Sequence, residues 1–180
     1  MAKGLGSGYA PLGAVLIPAA LADRLADLTG FNYSHTYNAN PITCATGLAV
    51  LDEYEKFDLV NAAAERGAYL HDKLQDLATQ CPVIGDIRGR GLLMAVELVA
   101  DKATKAKLPE SFQPTEKIRI HGLDNGLIIY SRRTAGGTYG DWFMIAPPLT
   151  ITEAECEELV ARLAATLEDF QEELRTVQTP

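Results

Sequence analysis

Apolar positions recur along this chain with two different periods, and the changes of period mark out its elements. The clearest stretch is the last. Thr152-Glu153-Ala154-Glu155 has the form of a capping box, and Cys156, Leu159, Val160, Leu163, Leu167, Phe170 and Leu174 then recur at three and four residues. That pattern predicts a core-facing helix with a solvated acidic back. A second long helix is predicted after Asp58, read as its cap, with Val60, Ala63, Gly67, Leu70, Leu74 and Leu77 on one stripe and Pro82 closing it. Between Asn40, an N-cap, and about Tyr54, a third helix opens on Pro41 and places Ile42, Ala45, Leu48, Ala49 and Leu51 on its apolar side.

Shorter runs change to the period of a strand. Val83 to Arg88 and Leu92 to Val99 read as strands joined by a Gly89-Arg90-Gly91 turn, and Leu127 to Tyr130 and Trp142 to Ala146 as two more. Gly13-Ala14-Val15-Leu16-Ile17 is a strand-like apolar run, followed by a short helix from Pro18 to Leu28 and a polar, aromatic loop from Thr29 to Asn40. Asp101 to Pro114, polar with two prolines, reads as a surface loop. A helix from about Thr115 to Asn125 ends at Gly126, a C-cap. The mixture of helices and strands is that of an α/β protein.

Composition narrows the function without naming it. A chain of 180 residues would bury about 70% of its unfolded surface, and its 47% hydrophobic content is ordinary for a globular segment. Sixteen basic residues against 24 acidic ones give a net charge of -8, with no basic run, which sets nucleic acid aside as a partner. The longest apolar stretch, Pro11 to Ala22, contains Pro18 and is too short to span a bilayer. As a signal peptide it would have a one-charge n-region and an interrupted apolar run, so the weaker reading is export. Cys44, Cys81 and Cys156 are odd in number and widely spaced, as in a cytoplasmic protein, and read as small buried apolar residues. No metal-ligand spacing surrounds His71 or His121.

The candidate chemistry lies at the beginning. Lys3 stands at the mouth of the turn Gly4-Leu5-Gly6-Ser7-Gly8-Tyr9-Ala10-Pro11-Leu12-Gly13, whose glycines let backbone close around a bound group. A lysine amine condenses reversibly with carbonyls and, once free, accepts protons on a flexible stem. A solvated surface lysine has the same local sequence. The Gly4-x-Gly6-x-Gly8 spacing follows no strand and so is not a nucleotide fingerprint.

Four strings in order give that lysine a context. Ala2-Lys3-Gly4-Leu5 with Pro11-Leu12-Gly13-Ala14, then Ser34-His35-Thr36-Tyr37-Asn38-Ala39-Asn40-Pro41, then Gly85-Asp86-Ile87-Arg88-Gly89-Arg90-Gly91-Leu92, and last Gly140-Asp141 with Ala146-Pro147-Pro148-Leu149, together resemble the class III, fold type I aminotransferases that use pyridoxal 5'-phosphate. The resemblance implies a remnant of the large cofactor-binding domain over residues 1–57, and an interdomain helix with the C-terminal α+β small domain over 58–180. It implies that Lys3 is the catalytic residue and covalent cofactor anchor, that Thr36 donates to the cofactor phosphate across a homodimer interface, and that Ser34, His35 and Tyr37 line the same pocket. Arg132 and Arg133 fall where several relatives hold a substrate carboxylate, for which a guanidinium has the matching bidentate geometry. The substrates implied are an amino donor, an amine or omega-amino acid, and a 2-oxo acid acceptor.

Family subunits are considerably longer, with their lysine past the midpoint, so the resemblance also implies a truncated, C-terminal portion. The loop taking most of the phosphate, the aromatic residue on the ring and the aspartate on the ring nitrogen would then lie upstream. Apolar faces up to about Phe57 would be left exposed, the isolated chain would be inactive, and association is expected. The alternative is a non-catalytic fragment that acts as a folding or dimerisation module.

Overall fold

The computed structural model describes residues 1–30 and 34–178, which form two compact units, Met1–Leu59 and Val60–Pro180. In the first, a 3-10 turn, Lys3–Leu5, precedes helices α1 (Ala19–Thr29) and α2 (Pro41–Lys56). Asn40 caps α2 as its sequence position predicts: Oδ1 accepts from the backbone N–H groups of Ile42 at 3.0 Å and Thr43 at 3.2 Å, while Pro41 takes the first helical position.

One expectation for this unit is corrected. Residues 13–17 form no strand. Only Ala14 is tied in a strand-like manner, exchanging hydrogen bonds with Met1 at 2.5 and 2.8 Å, and a strand needs a ladder on which to form. Val15 and Leu16 are exposed, as are Leu21, Leu25 and Leu28 of α1. The apolar side of α2 is uncovered, in keeping with the exposed apolar faces expected up to about Phe57. Ile42, Ala45, Leu48, Ala49 and Leu51 face solvent, whereas Thr43, Thr46, Gly47, Val50 and Tyr54 turn inward at steps of three and four. Phe31, Asn32 and Tyr33, part of the loop predicted from 29 to 40, lie outside the described residues.

The second unit is built on a four-stranded antiparallel sheet in the order β1-β2-β4-β3, with β1 at Ile84–Arg90, β2 at Leu93–Leu98, β3 at Tyr130–Arg133 and β4 at Asp141–Ile145. Helices α3 (Leu59–Gln80), α4 (Pro114–Asp124) and α5 (Glu153–Gln178) complete it. One face of the sheet carries Ile87, Met94, Val96, Leu98, Phe143 and Ile145 into a single hydrophobic cluster with Leu70 and Leu74 of α3, Ile118 of α4, and Leu163, Leu167 and Phe170 of α5. The alternate positions, among them Arg88, Ala95, Glu97, Arg132, Trp142 and Met144, lie on the other face, as the two-residue period of a strand requires. Charged and phenolic groups brace α3 to α5: Arg66 to Glu153 at 2.9 Å, and the Tyr69 hydroxyl donating to Glu157 at 2.7 Å. That bond is the main cause of a Tyr69 pKa raised to about 12.

Both ends of the α4 and α5 arguments hold. Thr152 Oγ1 accepts from Glu155 N–H at 3.2 Å while Glu155 Oε2 accepts from Thr152 N–H at 2.8 Å, the reciprocal bonds of a capping box. Gly126, at φ +73, ends α4 in a Schellman arrangement, with Leu127 N–H bonded to Gly122 O at 2.7 Å and Gly126 N–H to Leu123 O at 3.0 Å. That cap explains why β3 starts at Tyr130 rather than at Leu127. Leu127 is committed to closing the helix, and Ile129 is buried against Gly122, so the ladder begins only beyond them.

Three further boundaries move. The β1–β2 turn is Gly91-Leu92, because Gly89 and Arg90 already pair with Met94 and Leu93. The stretch from Asp101 to Pro114 is not a pure surface loop: Leu108 and Phe112 are buried in the core, where Phe112 meets Phe170 edge-on with centroids 5.2 Å apart, and Glu110–Phe112 is a 3-10 turn. Cys81 and Cys156 are buried, and burial pushes both thiols up, but Cys44 on the outward side of α2 is exposed. No helix among the described residues is long and apolar enough to cross a membrane.

Candidate functional site

The turn that carries Lys3 is closed by its own backbone. Gly6 N–H bonds to Lys3 O at 3.2 Å, Ser7 N–H to Gly4 O at 3.2 Å and Tyr9 N–H to Gly6 O at 2.9 Å. Lys3 itself sits at φ +55, in the left-handed region that side chains other than glycine seldom occupy. Gly6 cannot be replaced without opening the loop, because a Cβ there would lie 2.4 Å from the Ala10 carbonyl oxygen.

Lys3, Gly4, Ser7, Gly8, Ala10, Pro11 and Leu12 wall an open depression, and the Lys3 side chain is exposed at it. Among the described residues no carboxylate pairs with the Lys3 ammonium. Gly8 has empty space where a Cβ would stand, so the wall beside Lys3 is bare backbone. An accessible primary amine, a neighbouring Ser7 hydroxyl and a depression open on its glycine side fit covalent attachment of a carbonyl compound such as pyridoxal phosphate.

His35 and Thr36 occupy a separate exposed turn, closed by Asn38 N–H to His35 O at 2.9 Å and Asn40 N–H to Tyr37 O at 3.2 Å. Neither residue lines the Lys3 depression, nor do Ser34 and Tyr37. The turn leads directly into the Asn40 cap, so α2 fixes where it ends.

Arg132 and Arg133 are adjacent on β3 and therefore project to opposite faces of the sheet. Arg132 lies on the half-exposed face, its Nε donating to the Tyr130 hydroxyl at 2.6 Å and its guanidinium 5.0 Å from the Tyr130 ring centroid. Arg133 turns inward. Its Nη1 donates to both carboxylate oxygens of buried Asp141, at 2.8 and 3.2 Å, and Glu110 lies 3.7 Å from Nη2. Burial raises the Asp141 pKa, and the Arg133 charge offsets only part of that.

Asp141, quoted above only as part of a string, gains its role from the ladder: the alternation Asp141-x-Phe143-x-Ile145 puts it on the core face opposite Arg133. His121 is likewise engaged structurally, its Nε2 2.8 Å from Glu173 Oε2, where Lys117 also pairs. Hydrogen bonds from Lys117 first, and then from His121, hold the Glu173 carboxyl below its ordinary range, against the opposing effect of burial.

Comparison with known proteins finds relatives along nearly the whole chain. Residues 1–167 match the family described as Aminotransferase class-III. The aminotransferase YodT of Bacillus subtilis is 36% identical over 177 residues, which is 97% of this chain and 40% of that protein. An alanine–glyoxylate aminotransferase 2 homolog of Arabidopsis thaliana is 38% identical over 160 residues, 89% of this chain and 31% of its own. Among solved structures, an (S)-enantioselective omega-transaminase from Thermomicrobium roseum superposes with a TM-score of 0.85 at 38% identity, covering 94% of this chain and 36% of that one. The chain therefore spans between about a third and two fifths of the length of the relatives it matches.

Proposed function

The chain belongs to the class III aminotransferase family, with a fold type I α/β architecture, and on that premise we propose that it is the lysine-bearing portion of an enzyme moving an amino group from an amine or omega-amino acid to a 2-oxo acid. The observation that carries this reading is Lys3, accessible at a glycine-walled depression within the matched residues. Pyridoxal 5'-phosphate is the cofactor of the family, and when bound it supplies the electron sink that makes amino transfer feasible. Lys3 would hold it covalently and, once free, carry the proton on Nζ; a flexible amine suits both tasks. The Thr36 hydroxyl would donate to the phosphate from a homodimer partner, with His35 beside it.

For the substrate carboxylate, Arg132 is the better placed of the two arginines. Arg133 is neutralised by Asp141, and the two guanidiniums point to opposite faces, so one carboxylate cannot engage both. Arg132 keeps its Nη groups clear of any carboxylate among the described residues. The expected location is the cytoplasm.

The test is to incubate the purified chain with pyridoxal phosphate, reduce with borohydride and map the adduct. A pyridoxyl group concentrated on Lys3 and lost in Lys3→Ala supports the proposal; labelling spread over surface lysines sinks it. Turnover by this chain alone is expected to fail. A second reading, a non-catalytic folding or association module, is favoured by the exposed Val15, Leu16, Leu21, Leu25 and Leu28. Sedimentation as a clean monomer would count against it.

A further inference from the structure

We propose that Gly47 and Tyr54 of α2 are positioning residues for Lys3, holding the turn that carries it; this rests on the reading of Lys3 as the cofactor anchor. Helix α2 had two stripes to bury. The more apolar one, with Ile42, Leu48 and Leu51, is left in solvent, and the stripe turned inward contains Gly47, Val50 and Tyr54. The first stripe stays uncovered, as expected of apolar faces up to about Phe57, so what turns the second inward is a separate matter of fit.

Steric fit accounts for the second. A Cβ on Gly47 would lie 2.6 Å from Leu12 Cδ2 and 3.9 Å from Leu5 O, so the missing side chain is the space that Leu12 fills. Leu12 is also 3.4 Å, at its Cβ, from where a Gly6 Cβ would stand, so one leucine locks the closed turn on one side and α2 on the other. At the other end of the same stripe, Tyr54 Oη lies 3.4 Å from the Cβ position of Gly4, the residue that follows Lys3. The notch and the tyrosine thus grip both ends of the turn. Lys3 needs that grip because its φ of +55 is unfavourable for a lysine and persists only where surroundings impose it.

The experiment compares the full chain with Gly47→Ala, Tyr54→Ala, and the double variant Gly47→Ala/Leu12→Val, which removes the obstructing Cδ atoms. Alanine is ordinarily the better helix former, so circular dichroism should show α2 undiminished in Gly47→Ala. Amide exchange at Gly6, Ser7 and Tyr9 is expected to quicken at least tenfold in Gly47→Ala and to return toward the parent rate in the double variant. The share of pyridoxal phosphate and borohydride labelling that falls on Lys3 should drop at least threefold and recover with the same rescue. Tyr54→Ala, which adds no atom, should loosen the turn without any clash, and Tyr54→Phe, which removes only the Oη beside Gly4, should loosen it in the same direction by a smaller factor. Unchanged amide exchange in both single variants overturns the proposal whether or not Lys3 reacts. A turn that depends on α2 in a parent chain showing no preference for Lys3 overturns instead the reading of Lys3 as the anchor.

Discussion

Asp141→Asn is expected to cost the second unit about 1 kcal/mol, and Arg133→Met about 3 kcal/mol, although the two changes break the same ion pair. The asymmetry follows from where each group sits. Asp141 is 1% exposed, and burial, the largest influence on its carboxyl, raises its pKa despite Arg133. The folded state therefore favours neutral over ionised Asp141 more than the unfolded chain does. Asparagine gives up charge-assisted bonds but also relieves a desolvation penalty of the same order. Methionine at 133 leaves the buried carboxylate alone, at the lower end of the cost of an unpaired buried charge, since the Arg133 side chain was 21% exposed to begin with.

Urea denaturation followed by the fluorescence of Trp142, the single tryptophan, reads this directly, because it neighbours Asp141 in β4. A raised folded pKa means that Asp141 binds its proton more tightly in the folded state. Its contribution is thus fully present below the unfolded value, about 3.9, and is lost as pH rises through the folded one. Measured against the parent, Asp141→Asn should gain ground over that window. Equal or larger cost for Asp141→Asn than for Arg133→Met, or a difference independent of pH, would refute the reasoning.

Glu173→Gln should lower stability at pH 7 by no more than about 1 kcal/mol, because the Lys117–Glu173–His121 cluster is partly solvated. Its carboxyl is held low in the folded state, so that contribution is present above the unfolded pKa and the gap to the parent should close as pH falls through the folded one, in pH-dependent urea titrations. Gly67→Ala should destabilise by about 1 to 3 kcal/mol despite the better helix former, since its Cβ would fall 2.4 Å from the Gly91 carbonyl carbon; thermal unfolding that shows a gain would contradict the packing of α3 on the β1–β2 turn. Thr152→Ala should cost about 1 kcal/mol through loss of the α5 cap, read from the urea midpoint.

Local chemistry was legible wherever a residue serves its own neighbours. The Asn40 cap, the Thr152–Glu155 box and the Gly126 helix end are written in a few adjacent residues, and each has the geometry its sequence implies. The stripe of α5 was legible too, because a helix packed against a full core buries its apolar side. Residues 13–17 form no strand, and the apolar side of α2 stays uncovered, for the opposite reason. An apolar run becomes a strand only beside another, and an apolar stripe is buried only against a surface that accepts it; among the described residues Gly47 and Leu12 provide the close fit instead. The turn between β1 and β2 slipped by one or two residues because Gly89, a turn signal by composition, is needed in the strand, where a Cβ would lie 2.2 Å from Leu93 O. At the candidate site, the glycines after Lys3 mark in the sequence a backbone that closes tightly, as Gly6 does against Ala10. The pairing of Arg133 with Asp141 was not legible, since it joins residues across a hairpin whose register only the folded ladder fixes.

The central claim is that the amine of Lys3 is the attachment point for pyridoxal phosphate. A crystal of this chain soaked with pyridoxal phosphate is predicted to show electron density continuous from Lys3 Nζ into the cofactor, beside Gly4, Ser7 and Gly8. Density at other lysines with Lys3 bare would contradict it.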